Sequence, residues 1–235
     1  MTAMMKRGWH PTYWRSLLGS DLKVFAIVPV KRFENGKTRL ASLLSIVERI
    51  QLCKLLLEDT LTILSDASSL FQIVVVSSDP SVECITGQFS SVFLREIEER
   101  GVNAAIEQAD GYCERHGAEA TIVIPQDLPL LLPEDVDIMC DSAQNHEKCL
   151  AICPSQRYDG SNALLRKPSM LIRTYFDNNS YNMHIRAAKE TGAKLNIILL
   201  GHVMTDLDTI KDVAQMLEQP TKSRSVGYLR SKLKP

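Results

Sequence analysis

Residues 23–40 read KVFAIVPVKRFENGKTRL, and this stretch decides how the chain folds. It opens on an apolar run, residues 24–30, that is rich in β-branched side chains, which is typical of a strand buried on both faces. The run then meets a polar turn with an asparagine, a glycine and three cations: Asn35, Gly36, Lys31, Lys37 and Arg39. Such a loop at the end of a central strand favours phosphate binding, because outward-pointing amides and cationic side chains both attract anions. A solvent-exposed surface turn is the alternative that these residues leave open.

The composition of the whole chain bounds its class. A length of 235 residues with 45% hydrophobic side chains suits one α/β domain with a full core. The net charge of −1 provides no broad basic surface, so nucleic acid is not expected as a partner. No apolar run approaches the length that spans a membrane, and the first residues lack the apolar segment of a secretory signal. We therefore expect a cytoplasmic protein that does not associate with membranes.

Strand and helix patterns alternate along most of the chain. Further strands are predicted at residues 72–78, 91–94, 121–125, 150–153, 163–166 and 195–200. Helices lie between most of them, and the longest begins at the capping box formed by Ser45 and Glu48. A polar hairpin around Asp159 indicates one antiparallel insertion. The sequence thus predicts a single-domain, Rossmann-like α/β fold with a mixed, mainly parallel sheet and helices on both faces.

Three aspartates fall where a sheet of this kind binds ligands. Asp127 comes two residues after the fourth strand, and Asp206 and Asp208 follow the last one. Carboxylates gathered at one sheet edge could share Mg²⁺, which prefers oxygen ligands and completes its shell with water and phosphates. Capping of turns and helices is the alternative role for each aspartate.

Five segments resemble one family of enzymes. IVPVKRFENGKTRL, RGVNAAI, PQDLPLL, DGSNALL and TDLDT, in this order, are similar to the 2-phospho-L-lactate guanylyltransferase (CofC-like) family. The resemblance implies a glycosyltransferase-A-like nucleotidyltransferase fold, as in the nucleotide-diphospho-sugar transferases, over residues 22–219. Residues 1–21 are then an N-terminal extension and residues 220–235 a basic, mobile C-terminal tail. The implied reaction moves GMP from GTP to 2-phospho-L-lactate, phosphoenolpyruvate or 3-phosphoglycerate, releases pyrophosphate and serves coenzyme F-420 biosynthesis.

The resemblance also implies roles for individual residues. The nucleotide would be bound by Val30, Lys31, Lys37, Arg39, Gly101 and Asn103. The catalytic residues would be Lys31, Lys37, Arg39 and Asp127. The metal ligands would be Asp127, Asp206 and Asp208. The acceptor would be bound by Lys31, Ser161, Asn162 and Ser180. The chain departs from the family at Asp177, where the family has glycine, and we expect that carboxylate to repel a phosphorylated acid.

Other functions fit the same residues. A cytidylyltransferase or a molybdopterin guanylyltransferase would use the same fold and the same chemistry on another substrate. A sugar-transferring enzyme of related fold is a weaker alternative. A nucleotide-binding module without catalysis is an alternative of a different class, because a fold does not fix a function. The family resemblance also suggests a homodimer.

Overall fold

The computed structural model describes residues 22–177 and 179–233, which build one seven-stranded sheet with helices on its two faces. The strands are β1 (Val24–Val30), β2 (Leu70–Ser77), β3 (Ser91–Arg95), β4 (Ala120–Val123), β5 (Cys149–Pro154), β6 (Ser161–Lys167) and β7 (Lys194–Ile197). The helices are α1 (Ile46–Asp66), α2 (Pro80–Thr86), α3 (Val102–Arg115), α4 (Pro133–Asp141), α5 (Ser180–Thr191), α6 (Gly201–Met204), α7 (Ile210–Leu217) and α8 (Arg224–Lys232). The predicted extension, residues 1–21, lies outside the described residues.

The sheet is mixed and mainly parallel, as predicted. Its strand order is β3-β2-β1-β4-β6-β5-β7. Strand β1 pairs in parallel with β2 and β4, β2 with β3, and β5 with β7. Strand β6 runs antiparallel to both β4 and β5, which confirms the predicted antiparallel hairpin. This order places the ends of β3, β1 and β4 along one edge of the sheet.

Strand β1 is buried on both faces, as its apolar run predicts. Val24, Ala26 and Val28 pack into the core cluster on one side, together with residues of α1. Phe25 and Ile27 point to the opposite side, where α3 and α5 cover the sheet. Alternate residues of one strand thus enter two separate cores, which is why the strand is continuously hydrophobic.

Two capping boxes, one of them the predicted box at Ser45 and Glu48, begin helices α1 and α7. The Ser45 hydroxyl accepts a hydrogen bond from the Glu48 amide, and the Glu48 carboxylate accepts one from the Ser45 amide. Thr209 and Asp212 make the same reciprocal contacts at the start of α7. These contacts satisfy amides that a helix leaves without a partner at its first turn.

The predicted last strand, residues 195–200, is too long. Strand β7 ends at Ile197, and a one-turn helix, α6, follows at Gly201–Met204. Strand β7 is at the edge of the sheet, and its pairing with β5 ends at Ile152↔Ile197, after which the chain leaves the sheet. Asp206 and Asp208 therefore follow a short helix instead of a strand.

The predicted mobility of the basic tail is wrong. Helix α8 occupies most of it and buries Val226 and Leu229 in a third cluster with residues of α1 and α7. The carboxylate of Asp59 on α1 accepts hydrogen bonds from the hydroxyl groups of Ser223 and Ser225. The tail is thus held by contacts with residues that lie far away in the sequence.

No helix in the described part of the chain combines the length and apolarity needed to cross a bilayer.

Candidate active site

A cleft of about 480 Å³ lies along the sheet edge where β1, β3 and β4 end. It is lined by eleven of the residues predicted for the site: Val30, Lys31, Lys37, Arg39, Gly101, Asp127, Ser161, Asn162, Ser180, Asp206 and Asp208. They come from six separate stretches of the chain. The structure thus brings together residues whose joint placement the sequence could only infer from strand ends.

Lys37 is the electrostatic centre of the cleft. Its Nζ atom lies 2.9 Å from Asp127 Oδ2 and 2.9 Å from Asp208 Oδ1, and its side chain is only 7% exposed. Burial opposes the positive charge, but the two carboxylates outweigh burial and raise the pKa of Lys37 above its ordinary value. The ammonium group is therefore charged at neutral pH. Arg39 adds a second cation 3.6 Å from Asp208 Oδ2, on a side chain that is mostly exposed.

The backbone around Lys37 is held in an unusual conformation. Lys37 has φ 50° and ψ 37°, the left-handed region that costs a non-glycine residue about 1–2 kcal/mol. The preceding Gly36 lies so close to α1 that a Cβ atom would be 2.5 Å from Cys53 Sγ. Arg49 Nη1 also donates to the Gly36 carbonyl at 2.7 Å. A strained residue that its surroundings hold in place is a mark of functional sites.

The three aspartates lie close together but have different environments. The Leu207 amide donates to the Asp127 carbonyl at 2.9 Å, which ties the two acidic segments to each other. Burial and then the charges of Asp127 and Asp208 raise the pKa of Asp206. For Asp208, burial is outweighed by Lys37 and Arg39, so its pKa is lowered. The pKa values of two carboxylates only two residues apart, Asp206 and Asp208, are thus shifted in opposite directions by their neighbours.

The oxygen atoms of the site are of the type that binds a hard cation, although they are not arranged around one. Within residues 22–177 and 179–233, no group of three or more His, Cys, Asp or Glu side chains is arranged to hold a metal ion. The Lys37 ammonium lies between Asp127 and Asp208 instead. The adjacent Gln126 Oε1 is buried without a donor and offers a further oxygen. Mg²⁺ commonly binds through one or two carboxylates plus water and substrate phosphates, so these oxygens fit it.

The predicted acceptor side is a hydrogen-bond network around a buried histidine. The Tyr175 amide donates to His184 Nε2 at 2.8 Å, and Ser161 Oγ lies 2.9 Å from His184 Nδ1. Burial, then the charge of Arg166, lowers the pKa of His184 to about 3. The neutral ring therefore carries its proton on Nδ1 and donates to Ser161.

Ser180 completes this network. Its hydroxyl oxygen accepts from the Ser161 amide at 2.8 Å, and its hydroxyl group donates to Ser161 Oγ at 3.3 Å. Ser161 Oγ accordingly accepts two hydrogen bonds, and its own hydrogen is left to donate to a group in the cleft. Asn162 has another role, since its amide donates to the Val203 carbonyl at 2.9 Å and to Asp206 Oδ1 at 3.4 Å.

Asn103 is the predicted nucleotide-binding residue that does not line the cleft. Its amide donates to Asp177 Oδ2 at 2.8 Å, and its carbonyl oxygen accepts from the Phe176 amide at 2.8 Å. Gly101, the residue directly before α3, has φ 94° and does line the cleft. Asp177, where the chain departs from the family, thus binds Asn103. This contact ties the start of α3 to the segment before α5.

Sequence reasoning missed two residues of the site, His184 and Glu96. His184 is not among the residues predicted for the site, although its spacing of four from Ser180 places both on one helix face. Glu96 is not among them either. It lies directly after β3, lines the cleft and is buried, and the sequence contains no signal for that burial.

The fold is shared with a solved protein structure. A solved putative nucleotide-diphospho-sugar transferase from Desulfovibrio desulfuricans G20 superposes with a TM-score of 0.69 at 14% identity, covering 88% of this chain and 94% of that one. The similarity in structure confirms the predicted fold class.

The chain belongs to the family described as "Guanylyl transferase CofC like", whose profile matches residues 24–234. A phosphoenolpyruvate guanylyltransferase from Rubrobacter xylanophilus is 33% identical over 195 residues, which cover 83% of this chain and 94% of the relative. A 2-phospho-L-lactate guanylyltransferase from Methanothermobacter thermautotrophicus is 31% identical over 210 residues, 89% of this chain and 91% of the relative. The family resemblance in the sequence is thereby confirmed.

Proposed function

We propose that this protein transfers GMP from GTP to a phosphorylated three-carbon acid and releases pyrophosphate. The relatives are named for two such acids, 2-phospho-L-lactate and phosphoenolpyruvate. The observation that carries the proposal is Lys37, which is held between Asp127 and Asp208 inside a cleft that also contains Lys31 and Arg39. Cations and carboxylates in this arrangement suit a polyphosphate and its counter-ion.

The reaction requires little covalent help from the protein. A phosphate oxygen of the acceptor attacks the α-phosphorus of GTP, and the bond from that phosphorus to the oxygen bridging to the β-phosphorus breaks. The second pKa of a phosphate monoester is about 6, so the attacking oxygen is already ionised at neutral pH. No side-chain base is needed. The protein has to align two anions that repel each other and offset the negative charge that pyrophosphate carries away.

Different residues of the cleft would perform these tasks. Lys37 keeps its positive charge and would meet the triphosphate beside the carboxylates, while Lys31 and Arg39 are exposed cations on the same loop. The free hydroxyl hydrogen of Ser161 would donate to an anionic acceptor. Asp127, Asp208 and Asp206 would hold Mg²⁺, which when bound supplies positive charge to the phosphates.

The direct test incubates the protein with Mg²⁺, GTP and each of 2-phospho-L-lactate, phosphoenolpyruvate and 3-phosphoglycerate. Mass spectrometry should find the diphosphate-linked product of one acid, with pyrophosphate released in equal amount. Parallel reactions with CTP, UTP and ATP measure the choice of nucleotide. Pyrophosphate release with CTP but not GTP would replace guanylyl transfer by cytidylyl transfer. Absence of product from all combinations, with folded protein, would refute the proposal.

A further inference from the structure

Glu96 is a largely buried residue that lines the cleft. It is 8% exposed and directly follows β3, and its amide donates to the Ser77 carbonyl at 2.9 Å, which fixes its backbone to the sheet. Among the residues that the structure describes, no hydrogen bond or ion pair reaches its carboxylate. A carboxylate that lines a cleft and has no donor from the protein can accept hydrogen bonds from a bound ligand. Glu96 is therefore suited to a ligand group that donates hydrogen bonds.

The position of Glu96 suits one end of a nucleotide. In the sheet, β3 is separated from β1 by β2, so the ends of β3 and β1 lie about 10 Å apart. The triphosphate is assigned to the loop after β1, on the side facing Asp127. The base then extends the other way, toward β3. The lining of the cleft includes Val30, Val102 and Ala105, apolar side chains against which a flat ring can pack.

The chemistry of a lone carboxylate selects among the bases. An ionised carboxylate only accepts hydrogen bonds, through two adjacent oxygens. Guanine presents two adjacent donors, N1–H and the 2-amino group, on a single edge. Adenine has an acceptor at N1, and cytosine has an acceptor at N3 beside its amino group. Guanine is thus the base whose edge matches the carboxylate with two hydrogen bonds.

We infer that Glu96 recognises the guanine base by accepting hydrogen bonds from N1–H and the 2-amino group, an inference that rests on the proposed guanylyl transfer. Burial and the neighbouring charge of Glu99 raise the pKa of Glu96 above its ordinary value. Two donors from guanine would satisfy the carboxylate when the bound base excludes water from it. A base that lacks these donors leaves the carboxylate unpaired, which is the strongest form of discrimination available to a polar site.

The test changes the hydrogen-bonding groups of the protein, at residue 96, and of the base in the nucleotide. Xanthosine triphosphate carries a carbonyl where GTP has the 2-amino group, and inosine triphosphate has only hydrogen there. In Glu96→Gln, the new amide group can donate to that carbonyl while its oxygen still accepts from N1–H. We expect the affinity for GTP to fall about 100-fold and that for xanthosine triphosphate to rise above the wild-type value. Wild type should bind inosine triphosphate about 10-fold more weakly than GTP.

Glu99→Gln is the matched control, because Glu99 lines the same cleft but is exposed. It removes the same charge, and we expect no change in the order of preference. Binding is measured by calorimetry without any acceptor, so the result does not depend on turnover. A gain for xanthosine triphosphate also shows that Glu96→Gln is folded. Equal losses for all nucleotides, or unchanged GTP binding, would overturn the inference. Lack of guanylyl transfer in the presence of normal GTP binding would instead refute the proposed function alone.

Discussion

Replacing His184 by asparagine tests whether the acceptor side of the cleft is built on a neutral histidine. His184 is fully buried, donates to Ser161 through Nδ1 and accepts from the Tyr175 amide at Nε2. Burial, with the charge of Arg166, lowers its pKa from 6.5 to about 3. The unfolded chain thus binds a proton at His184 below pH 6.5, and the folded protein does not until the pH is near 3.

The sign and size of the effect follow from this difference. The unfolded state binds more protons between these two values, so stability is complete above pH 6.5 and declines as the pH falls toward 3. Between pH 7 and pH 5, the decline due to His184 amounts to about 2 kcal/mol. His184→Asn lacks this contribution. The wild type should therefore lose about 2 kcal/mol more stability than the variant over that range.

Urea unfolding at pH 7, 6 and 5 measures the difference. The carboxylates titrate in both proteins, so their effects cancel when wild type and variant are compared at each pH. His116→Asn, the same substitution at an exposed histidine, is the control. Equal slopes for the wild type and His184→Asn would show that the folded protein protonates His184 above pH 5. The assignment of its proton to Nδ1, and of the free hydrogen to Ser161, would then be wrong.

Further predictions concern the cleft and the tail. Lys37→Met should lower kcat/KM at least about 100-fold while far-UV circular dichroism is retained, and near-normal turnover would contradict its role. Asp127→Asn and Asp208→Asn should each abolish pyrophosphate release in a folded protein; an active variant would remove the metal role of that residue. Ser161→Ala should raise the KM of the acceptor about 10-fold and leave that of GTP unchanged, and the reverse pattern in steady-state rates would place Ser161 on the nucleotide. Leu229→Ala should destabilise the protein by about 2–4 kcal/mol in urea, whereas a change below 1 kcal/mol would show that α8 adds little to the core.

The part of the fold that could be predicted rests on local signals. Strand β1 is a continuous apolar run, and two helices begin at capping boxes that involve residues three apart, such as Ser45 and Glu48. The convergence of Asp127 on the cationic loop could also be predicted, because both follow parallel strands, β4 and β1, which end at a common edge of the sheet. Each of these inferences needs only a short window of sequence or a general rule of topology.

The part that could not be predicted depends on partners far away in the chain. Asp59 binds the start of α8 across 164 residues, and Asn103 reaches Asp177 across 74. Strand β7 ends at Ile197, the last residue that pairs with β5, and no local pattern in residues 195–200 indicates that end. A basic tail without apolar periodicity becomes an ordered helix only because α1 and α7 present a surface that buries Leu229. Such contacts are properties of the folded chain, and sequence windows do not contain them.

The same limit applies inside the cleft. Sequence placed carboxylates and cations together, but it could not show that Lys37 would lie between Asp127 and Asp208 at equal distances. It also could not show that Glu96, at the end of β3, would be largely buried and line the same cleft. Both findings depend on side-chain positions in three dimensions. They are the observations from which the proposed chemistry and the choice of base are argued.

The central claim is that the cationic loop and the three aspartates act together on the α-phosphate of GTP. The most direct measurement supplies GTP labelled at either the α- or the γ-phosphate, with Mg²⁺ and the accepted phospho-acid. The α-label should appear in the diphosphate-linked product and the γ-label in pyrophosphate, and Lys37→Met should slow both together. Transfer of the γ-label to the acid, or undiminished α-label transfer by Lys37→Met, would contradict the account.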